Sequence, residues 1–208
     1  MARRLEFVFD FGSPNAYLAY RALPPLLART GAELSIVPCL LGGIFKATGN
    51  RAPSVAFADI KGKMDYEMLE IRRFAARHGL TKFRLNPHFP INTLMLMRGL
   101  VAAQGRGEGA AFIEMGLAGM WEDGLKLDDP EVLARSAAAA GLDAAALIAA
   151  SQTSETKQRL ANETARAVER GVFGIPTFFV GEEMFFGKDR LGQVEEELAK
   201  APAARAVS

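Results

Sequence analysis

Cysteine and histidine are scarce in this chain, and each scarcity excludes a kind of site. The 208 residues contain a single cysteine, Cys39, so no disulfide can form within the chain. The two histidines, His78 and His88, are too isolated to supply a cluster of metal ligands, and we expect no metal. A lone cysteine is typical of a reducing compartment, so we expect the protein in the cytoplasm.

Charge imbalance and long apolar runs are also missing. Lysine and arginine number 25 against 24 aspartates and glutamates, and this balance gives no sign of a nucleic-acid partner. No stretch approaches the roughly 20 apolar residues that a membrane span requires, and we expect no membrane partner. The first apolar run is too short for a signal peptide and is interrupted by Asp10. The composition, 50% hydrophobic and 24% charged, is that of an ordinary globular protein.

The N-terminal stretch predicts a strand, a tight turn and a helix. Residues 5–11 are densely apolar, as in a strand covered on both faces. Ser13 and Pro14 then form a favoured helix start, with serine at the N-cap and proline at the first helical position. Helical spacing continues to about residue 29, and residues 33–39 read as a second strand. The spacing predicts a βαβ unit with parallel strands.

The middle of the chain is helical by pattern. We expect residues 40–53 to be irregular because they are rich in glycine, and no strand is predicted again before about residue 177. Asp129 and Asp143 are typical N-cap residues for two of the helices. The six predicted helical segments are 54–78, 91–104, 110–121, one opening at 130, a short one after 143, and 155–170.

The last fifth of the chain returns to a sheet. Residues 177–180 form a predicted strand preceded by Pro176, and residues 184–186 form a short antiparallel partner. A final helix is predicted from residue 191 to about 200. The total is βαβ, helices, then ββα, which is an α/β thioredoxin fold with an inserted all-helical domain. We expect residues 1–45 and 172–208 to form a discontinuous thioredoxin-like domain and residues 46–171 to form the helical one.

Three separated motifs resemble a known family. They are the Asp-Phe-Gly-Ser-Pro run at residues 10–14 followed by Tyr17, the Gly-Val-Phe-Gly-Ile-Pro-Thr-Phe run at residues 171–178, and Gly-Lys-Asp-Arg-Leu at residues 187–191. The chain is similar to the 2-hydroxychromene-2-carboxylate isomerases. These are close relatives of the kappa-class glutathione transferases, and both belong to the DsbA-like branch of thioredoxin folds. The resemblance implies glutathione as cofactor, a small aromatic substrate and a homodimer.

The resemblance gives Ser13 a chemical role. Redox members of the branch carry a Cys-x-x-Cys motif whose cysteines would correspond to Ser13 and Ala16, so this site cannot exchange disulfides. A hydroxyl in the first cysteine's place implies that the thiol arrives with glutathione. Ser13 would then be the catalytic residue, donating a hydrogen bond to the glutathione thiolate at a helix N-terminus that lowers the thiol pKa. The alternative is that Ser13 is a helix cap and nothing more.

The same resemblance implies the other site residues. A cis peptide bond between Ile175 and Pro176 would present backbone groups to glutathione beside Ser13. The start of the last helix would hold the γ-glutamyl end, although Asp189 could equally be a simple N-cap. Lys61 competes with Lys63 as a cofactor ligand. The implied cofactor-binding residues are Asn50, Lys63, Ile175, Pro176, Lys188, Asp189 and Arg190, and the candidate substrate-binding residues are Phe45 and Lys46.

The function implied is the glutathione-dependent isomerisation of a 2-hydroxychromene-2-carboxylate to trans-o-hydroxybenzylidenepyruvate, as in bacterial breakdown of naphthalene-type aromatics. Two alternatives stay open. The first is a kappa-like transferase or peroxidase acting on another electrophile, and the second is a glutathione-binding module without catalysis. Asn15 and Ala16 stand where family members often carry tyrosine and serine, and Gly12 stands where a bulky residue is common. These departures favour an altered substrate pocket.

Overall fold

The sheet is built around strand β1 (Arg4–Phe9) in the computed structural model, which describes residues 3–200. The strand order is β2-β1-β3-β4. Strand β2 (Glu33–Pro38) runs parallel to β1, while β3 (Thr177–Val180) is antiparallel to β1 and β4 (Glu183–Phe186) is antiparallel to β3. The parallel βαβ half and the antiparallel ββα half confirm the predicted thioredoxin fold.

Helix α1 (Pro14–Thr30) connects β1 to β2 and begins and ends as its sequence predicts. The Ser13 side chain caps the first turn by accepting the amide hydrogen of Ala16. At the other end, Gly31 takes the left-handed conformation with φ 65° and donates its N–H to the carbonyl of Leu27. A residue with a Cβ adopts that φ only with steric strain, so glycine is the favoured residue there.

Eight further helices lie in sequence between β2 and β3, two more than the six predicted segments. The carboxylates of Asp129 and Asp143 cap two of them, as expected. A 3₁₀ turn (Lys188–Arg190) and helix α10 (Leu191–Ala199) follow β4. The eight helices are α2 (Leu41–Thr48), α3 (Pro53–Ala56), α4 (Lys63–Arg77), α5 (Leu94–Gly105), α6 (Gly109–Trp121), α7 (Pro130–Ala139), α8 (Ala144–Ser151) and α9 (Ser154–Glu169).

Two of the helical predictions are wrong. Residues 40–53 are not irregular, because α2 forms in spite of its glycines. Its N-terminal amides are taken up by tertiary partners: Leu40 donates to Thr164 Oγ1 at 3.0 Å and Leu41 to Asp10 Oδ2 at 2.7 Å. Residues 54–78 are not one helix, because Gly62 has a φ of 81° and separates α3 from α4.

The core runs from the sheet into the helices as a series of aromatic contacts. The ring of Phe9 meets that of Phe11 edge-on at 4.9 Å, and Phe11 meets Phe112 of α6 at 6.2 Å between centroids. Trp121, at the end of α6, donates its indole N–H to the carbonyl of Phe11 at 2.9 Å. Helix α6 therefore packs against the loop between β1 and α1 and stabilises it.

The division into residues 1–45 with 172–208 and residues 46–171 stays a prediction. Helix α2 begins at Leu41, four residues before the proposed boundary, and residues 1–2 and 201–208 lie outside the described part of the chain. Among residues 3–200, no helix combines the length and the apolar character needed to cross a bilayer.

Candidate active site at the start of helix α1

Ser13 is buried, with 4% of its surface exposed, and its hydroxyl makes two hydrogen bonds. It accepts the amide hydrogen of Ala16 at 3.2 Å and donates to the carbonyl of Ile175 at 2.9 Å. A hydroxyl has one hydrogen, so that hydrogen is committed to Ile175 in this state. The 17 residues of α1 place the positive end of a helix dipole at the same oxygen.

The Ile175–Pro176 turn faces Ser13. Its peptide bond is cis, as the sequence resemblance implied, and a second cis bond at Phe89–Pro90 was not predicted. The Pro176 carbonyl accepts the N–H of Gly187 at 2.9 Å, which places the 3₁₀ turn beside the cis-proline turn. Within residues 3–200, no protein acceptor takes the N–H of Ile175. The turn therefore offers one backbone donor next to Ser13.

The 3₁₀ turn separates its three polar side chains. Asp189 and Arg190 are exposed, whereas Lys188 is buried, with 3% of its surface exposed. The Lys188 ammonium lies 3.2 Å from the Asp189 carboxylate and 5.6 Å from the ring centroid of Phe74 in α4. Within the described chain, the Asp189 side chain caps neither the 3₁₀ turn nor α10, so the simple N-cap alternative is wrong. Lys188 is held against α4 and Asp189 projects towards solvent.

Asn50 lies next to the cis-proline turn, and Lys63 forms an ion pair with Glu67. The Asn50 side-chain amide is 3.5 Å from the carbonyl of Phe173, two residues before Ile175. Lys63 opens α4, where its ammonium bonds Glu67 at 2.6 Å. An anion bound by Lys63 would have to share it with Glu67. The competing Lys61 is exposed in the turn before α4.

The two candidate substrate residues lie on α2, the helix that the sequence did not predict. Phe45 is half-buried and Lys46 is exposed in the last turn. The helix is tied to the Ser13 loop through the bond from the Leu41 amide to Asp10. Phe45 and Lys46 therefore lie on a helix whose first residue is bonded to the residue that ends β1, three residues before Ser13.

Sequence reasoning missed one buried carboxyl group, that of Asp10. The side chain accepts the amides of Gly12 and Leu41, and burial raises its pKa while these bonds and the Thr93 side chain lower it. The signal was present as a charged residue at the end of an apolar strand. From the sequence alone, Asp10 is interpreted as an interruption of the first apolar run and as the first residue of the Asp-Phe-Gly-Ser-Pro motif, and its carboxyl group is given no role.

Cys39 lies directly after β2, and its thiol is buried and unreactive. Burial, together with the nearby charges of Glu163 and Asp10, raises its pKa to about 12. Because the thiolate is the reactive form, this side chain is no nucleophile at neutral pH. Any thiol chemistry at Ser13 needs a thiol from outside the chain.

Fold and site together define a thioredoxin-type domain in which serine caps the first helix opposite a cis-proline turn. A model of the DsbA-like thioredoxin domain matches residues 4–199, and the chain belongs to that family. A curated 2-hydroxychromene-2-carboxylate isomerase of Sphingobium xenophagum is 31% identical over 95% of this chain and 99% of its own. Within the DsbA-like family, the chain belongs with these isomerases and is an enzyme of the isomerase class.

Two further comparisons agree with this placement. A solved structure of a 2-hydroxychromene-2-carboxylate isomerase matches with a TM-score of 0.80 and 29% identity over 93% of both chains. A glutathione S-transferase kappa 1 of Rattus norvegicus is 27% identical over 91% of this chain and 88% of its own. The chain is thus similar to isomerases and, less closely, to a kappa transferase.

Proposed function

We propose that the protein is a glutathione-dependent isomerase that interconverts a 2-hydroxychromene-2-carboxylate and trans-o-hydroxybenzylidenepyruvate in the catabolism of aromatic compounds. The observation that carries the proposal is the Ser13 hydroxyl, buried at the N-terminus of α1 and 2.9 Å from the Ile175 carbonyl. The names of the similar proteins support the reaction. The name of the kappa transferase supports the cofactor.

The groups around Ser13 suit a thiol-containing peptide. Ile175 offers an unpaired N–H and a carbonyl, the pair that an extended peptide uses when it adds to a strand. The 3₁₀ turn bonded to Pro176 supplies a carboxylate at Asp189 and a guanidinium at Arg190, which suit the ammonium and carboxylate of an amino-acid end. We infer that Asn50 binds at the Phe173 side of the same turn and that Lys63 contributes from α4. Lys188 would act beneath the turn, paired with Asp189.

Ser13 would change its hydrogen-bond partner when the cofactor binds. The hydroxyl gives up the Ile175 carbonyl and donates to the sulfur, while it keeps accepting the amide of Ala16. The freed Ile175 carbonyl can accept an N–H from the peptide. Each partner lost is thereby replaced, as a buried site requires. With the helix dipole, the Ser13 donor favours the charged form of the sulfur.

When bound, glutathione would supply a thiolate nucleophile for reversible addition to a conjugated carbon. The π electrons would move to the conjugated carbonyl oxygen, allowing rotation about the former double bond, and would re-form that bond as the thiolate leaves unchanged. The residues of this chain need only bind, orient and stabilise negative charge. We infer that Lys46 binds the carboxylate of the aromatic substrate and that the ring of Phe45 forms an apolar wall. Ser13 acts as a donor and is not itself an attacking alkoxide.

The deciding experiment measures turnover with and without glutathione on two substrates, a chromene carboxylate and a chlorodinitrobenzene-type acceptor. We expect the chromene carboxylate to be isomerised only when glutathione is present, and all of the glutathione to be recovered afterwards. Consumption of glutathione on the second substrate alone would favour the kappa-like transferase. Glutathione binding without turnover of either would favour the non-catalytic module.

Two further expectations rest on the sequence alone, the compartment on the single cysteine and the homodimer on the family resemblance. We propose that the protein acts in the cytoplasm and that it forms a homodimer. Light scattering after gel filtration measures the mass of the particle and checks the second expectation, because a single chain has a mass of 22.4 kDa.

A further inference from the structure

The carboxyl group of Asp10 is fully buried three residues before Ser13. Its Oδ1 accepts the N–H of Gly12 at 2.8 Å, and its Oδ2 accepts the N–H of Leu41 at 2.7 Å. The backbone carbonyl of Asp10 accepts the N–H of Ser13 at 3.3 Å. A single residue therefore binds both the turn before α1 and the first residue of α2.

A third segment joins the same carboxylate. The side chain of Thr93, directly before α5, lies beside it, since the Thr93 hydroxyl oxygen would be 3.6 Å from a Cβ built at the neighbouring Gly12. The methyl group of Thr93 packs against Gly12, where a Cβ would lie only 3.2 Å from it and 3.4 Å from Asp10 Oδ1. Three segments therefore meet at Asp10, namely the turn before α1, the start of α2 and the start of α5. A side chain at Gly12 would crowd Thr93 and Asp10.

The bonds to Asp10 are short and buried, because its two oxygens accept the Gly12 and Leu41 amides at 2.8 and 2.7 Å. Burial raises the pKa of Asp10, and the two backbone amides offset only part of that rise. The loss of either bridging oxygen would leave a buried amide without a partner, which costs more than the bond itself contributes.

We propose that Asp10 is a positioning residue that fixes helix α2 relative to the Ser13 hydroxyl. One carboxylate bonds the loop that orients Ser13 and the helix that carries Phe45 and Lys46, so it sets the spacing between the two sides of the site. The bridge itself is independent of the proposed function. Its effect on substrate binding rests on that function.

The first test measures amide hydrogen exchange without ligand in the wild type and in Asp10→Asn. An amide side chain keeps the shape of the carboxylate but replaces one acceptor by a donor. We expect exchange in the segment Leu41–Thr48 to be about tenfold faster or more, because the buried amide of Leu41 would lose its acceptor. The control is Asp143→Asn, since Asp143 also accepts a backbone amide, that of Ala146, at 3.0 Å. Because asparagine caps a helix about as well as aspartate, this variant should leave exchange near the wild-type rate at both α8 and α2.

The second test compares substrate and cofactor constants. In Asp10→Asn, we expect the KM for the chromene carboxylate to rise by about tenfold. The Kd for glutathione should stay near the wild-type value, because the bond between Ser13 and Ile175 does not involve Asp10. A merely structural role would lower the melting temperature and change both constants together. That result would overturn the positioning role.

Thr93→Val keeps the inference testable if Asp10→Asn does not fold. It removes the hydroxyl beside Asp10 and keeps the methyl that packs on Gly12. We expect the same changes in exchange and KM, of smaller size. Wild-type exchange at α2 in the variants that fold would overturn the bridge. If the wild type binds no glutathione but exchange still responds to Asp10, the proposed function fails and the bridge stands.

Discussion

The hydroxyl of Ser13 donates a hydrogen bond to the carbonyl of Ile175, 162 residues further along the chain, at 2.9 Å. This bond joins the first helix to the cis-proline turn, two elements that belong to opposite ends of the sequence. It shows that the hydroxyl at the helix start is aimed at backbone that a peptide could use, and not at solvent. The bond also means that Ser13 supports the fold as well as the site.

Ser13→Ala should abolish most turnover and lower stability moderately. The variant removes the donor that would face the thiolate, the cap on Ala16 and the partner of the Ile175 carbonyl. A lost cap costs about 1 kcal/mol and a buried unsatisfied carbonyl costs roughly 1–3 kcal/mol. Turnover and denaturant unfolding are measured side by side on the same preparation.

The matched control for Ser13→Ala is Thr153→Ala. Thr153 caps α9 by accepting the amide of Thr156 at 3.2 Å, the same distance as at Ser13. Its loss should cost about 1 kcal/mol and leave turnover unchanged. A Ser13→Ala protein with full turnover would contradict the catalytic role, whatever its stability.

Ile175→Ala should lower stability without weakening glutathione binding much. The side chain is buried, so its truncation leaves a cavity that costs roughly 2–5 kcal/mol. The backbone N–H and carbonyl that would bind the peptide remain. Calorimetric titration with glutathione is compared with chemical unfolding of the apo protein. A large loss of affinity at wild-type stability would show that the side chain binds the cofactor instead.

Local chemistry in the sequence was sufficient for the elements whose ends are capped. Helix ends are marked locally in two ways. The side chains of Ser13, Asp129 and Asp143 accept first-turn amides, and Gly31 takes a positive φ. Neither mark depends on the rest of the fold. The closeness of Ser13 to Ile175 followed from the family resemblance. No local pattern contains it.

Two of the features that were missed depend on long-range contacts, and a third depends on the conformation of one glycine. Helix α2 has two glycines in its first turn, which weaken its helix propensity, and Asp10 and Thr164 stabilise its start by accepting its first amides. The split between α3 and α4 depends on the positive φ of Gly62, which an apolar stripe does not reveal. Lys188 is buried because Phe74 of α4 covers it, and a charged residue in a turn gives no sign of that.

Gly116→Ala should destabilise the protein by about 1–3 kcal/mol through overpacking. A Cβ at this position in α6 would lie 2.8 Å from the Phe11 Cζ, and Phe11 is fully buried beneath the Ser13 loop. The control is Gly192→Ala in α10, where a Cβ would meet no atom within 4 Å. There alanine should be neutral or stabilising by up to about 1 kcal/mol, from helix propensity. Equal melting temperatures for the two variants would contradict the packing.

The last prediction concerns the pH dependence of thiolate formation. Below pH 9, the ultraviolet thiolate signal of the protein with glutathione should come from the cofactor, because burial raises the pKa of Cys39 from 9.0 to about 12. The signal should persist at neutral pH in the wild type and weaken in Ser13→Ala. Glutathione binding should also raise the melting temperature of the wild type.

Iodoacetamide should leave Cys39 unmodified in the native protein and alkylate it once the chain is unfolded. Since the pKa is raised in the folded state, the stability linked to Cys39 is fully present below pH 9 and is lost as the pH rises towards 12. Rapid alkylation of native Cys39 at neutral pH would show that the thiol is exposed, and an unchanged thiolate signal on addition of glutathione would contradict the cofactor.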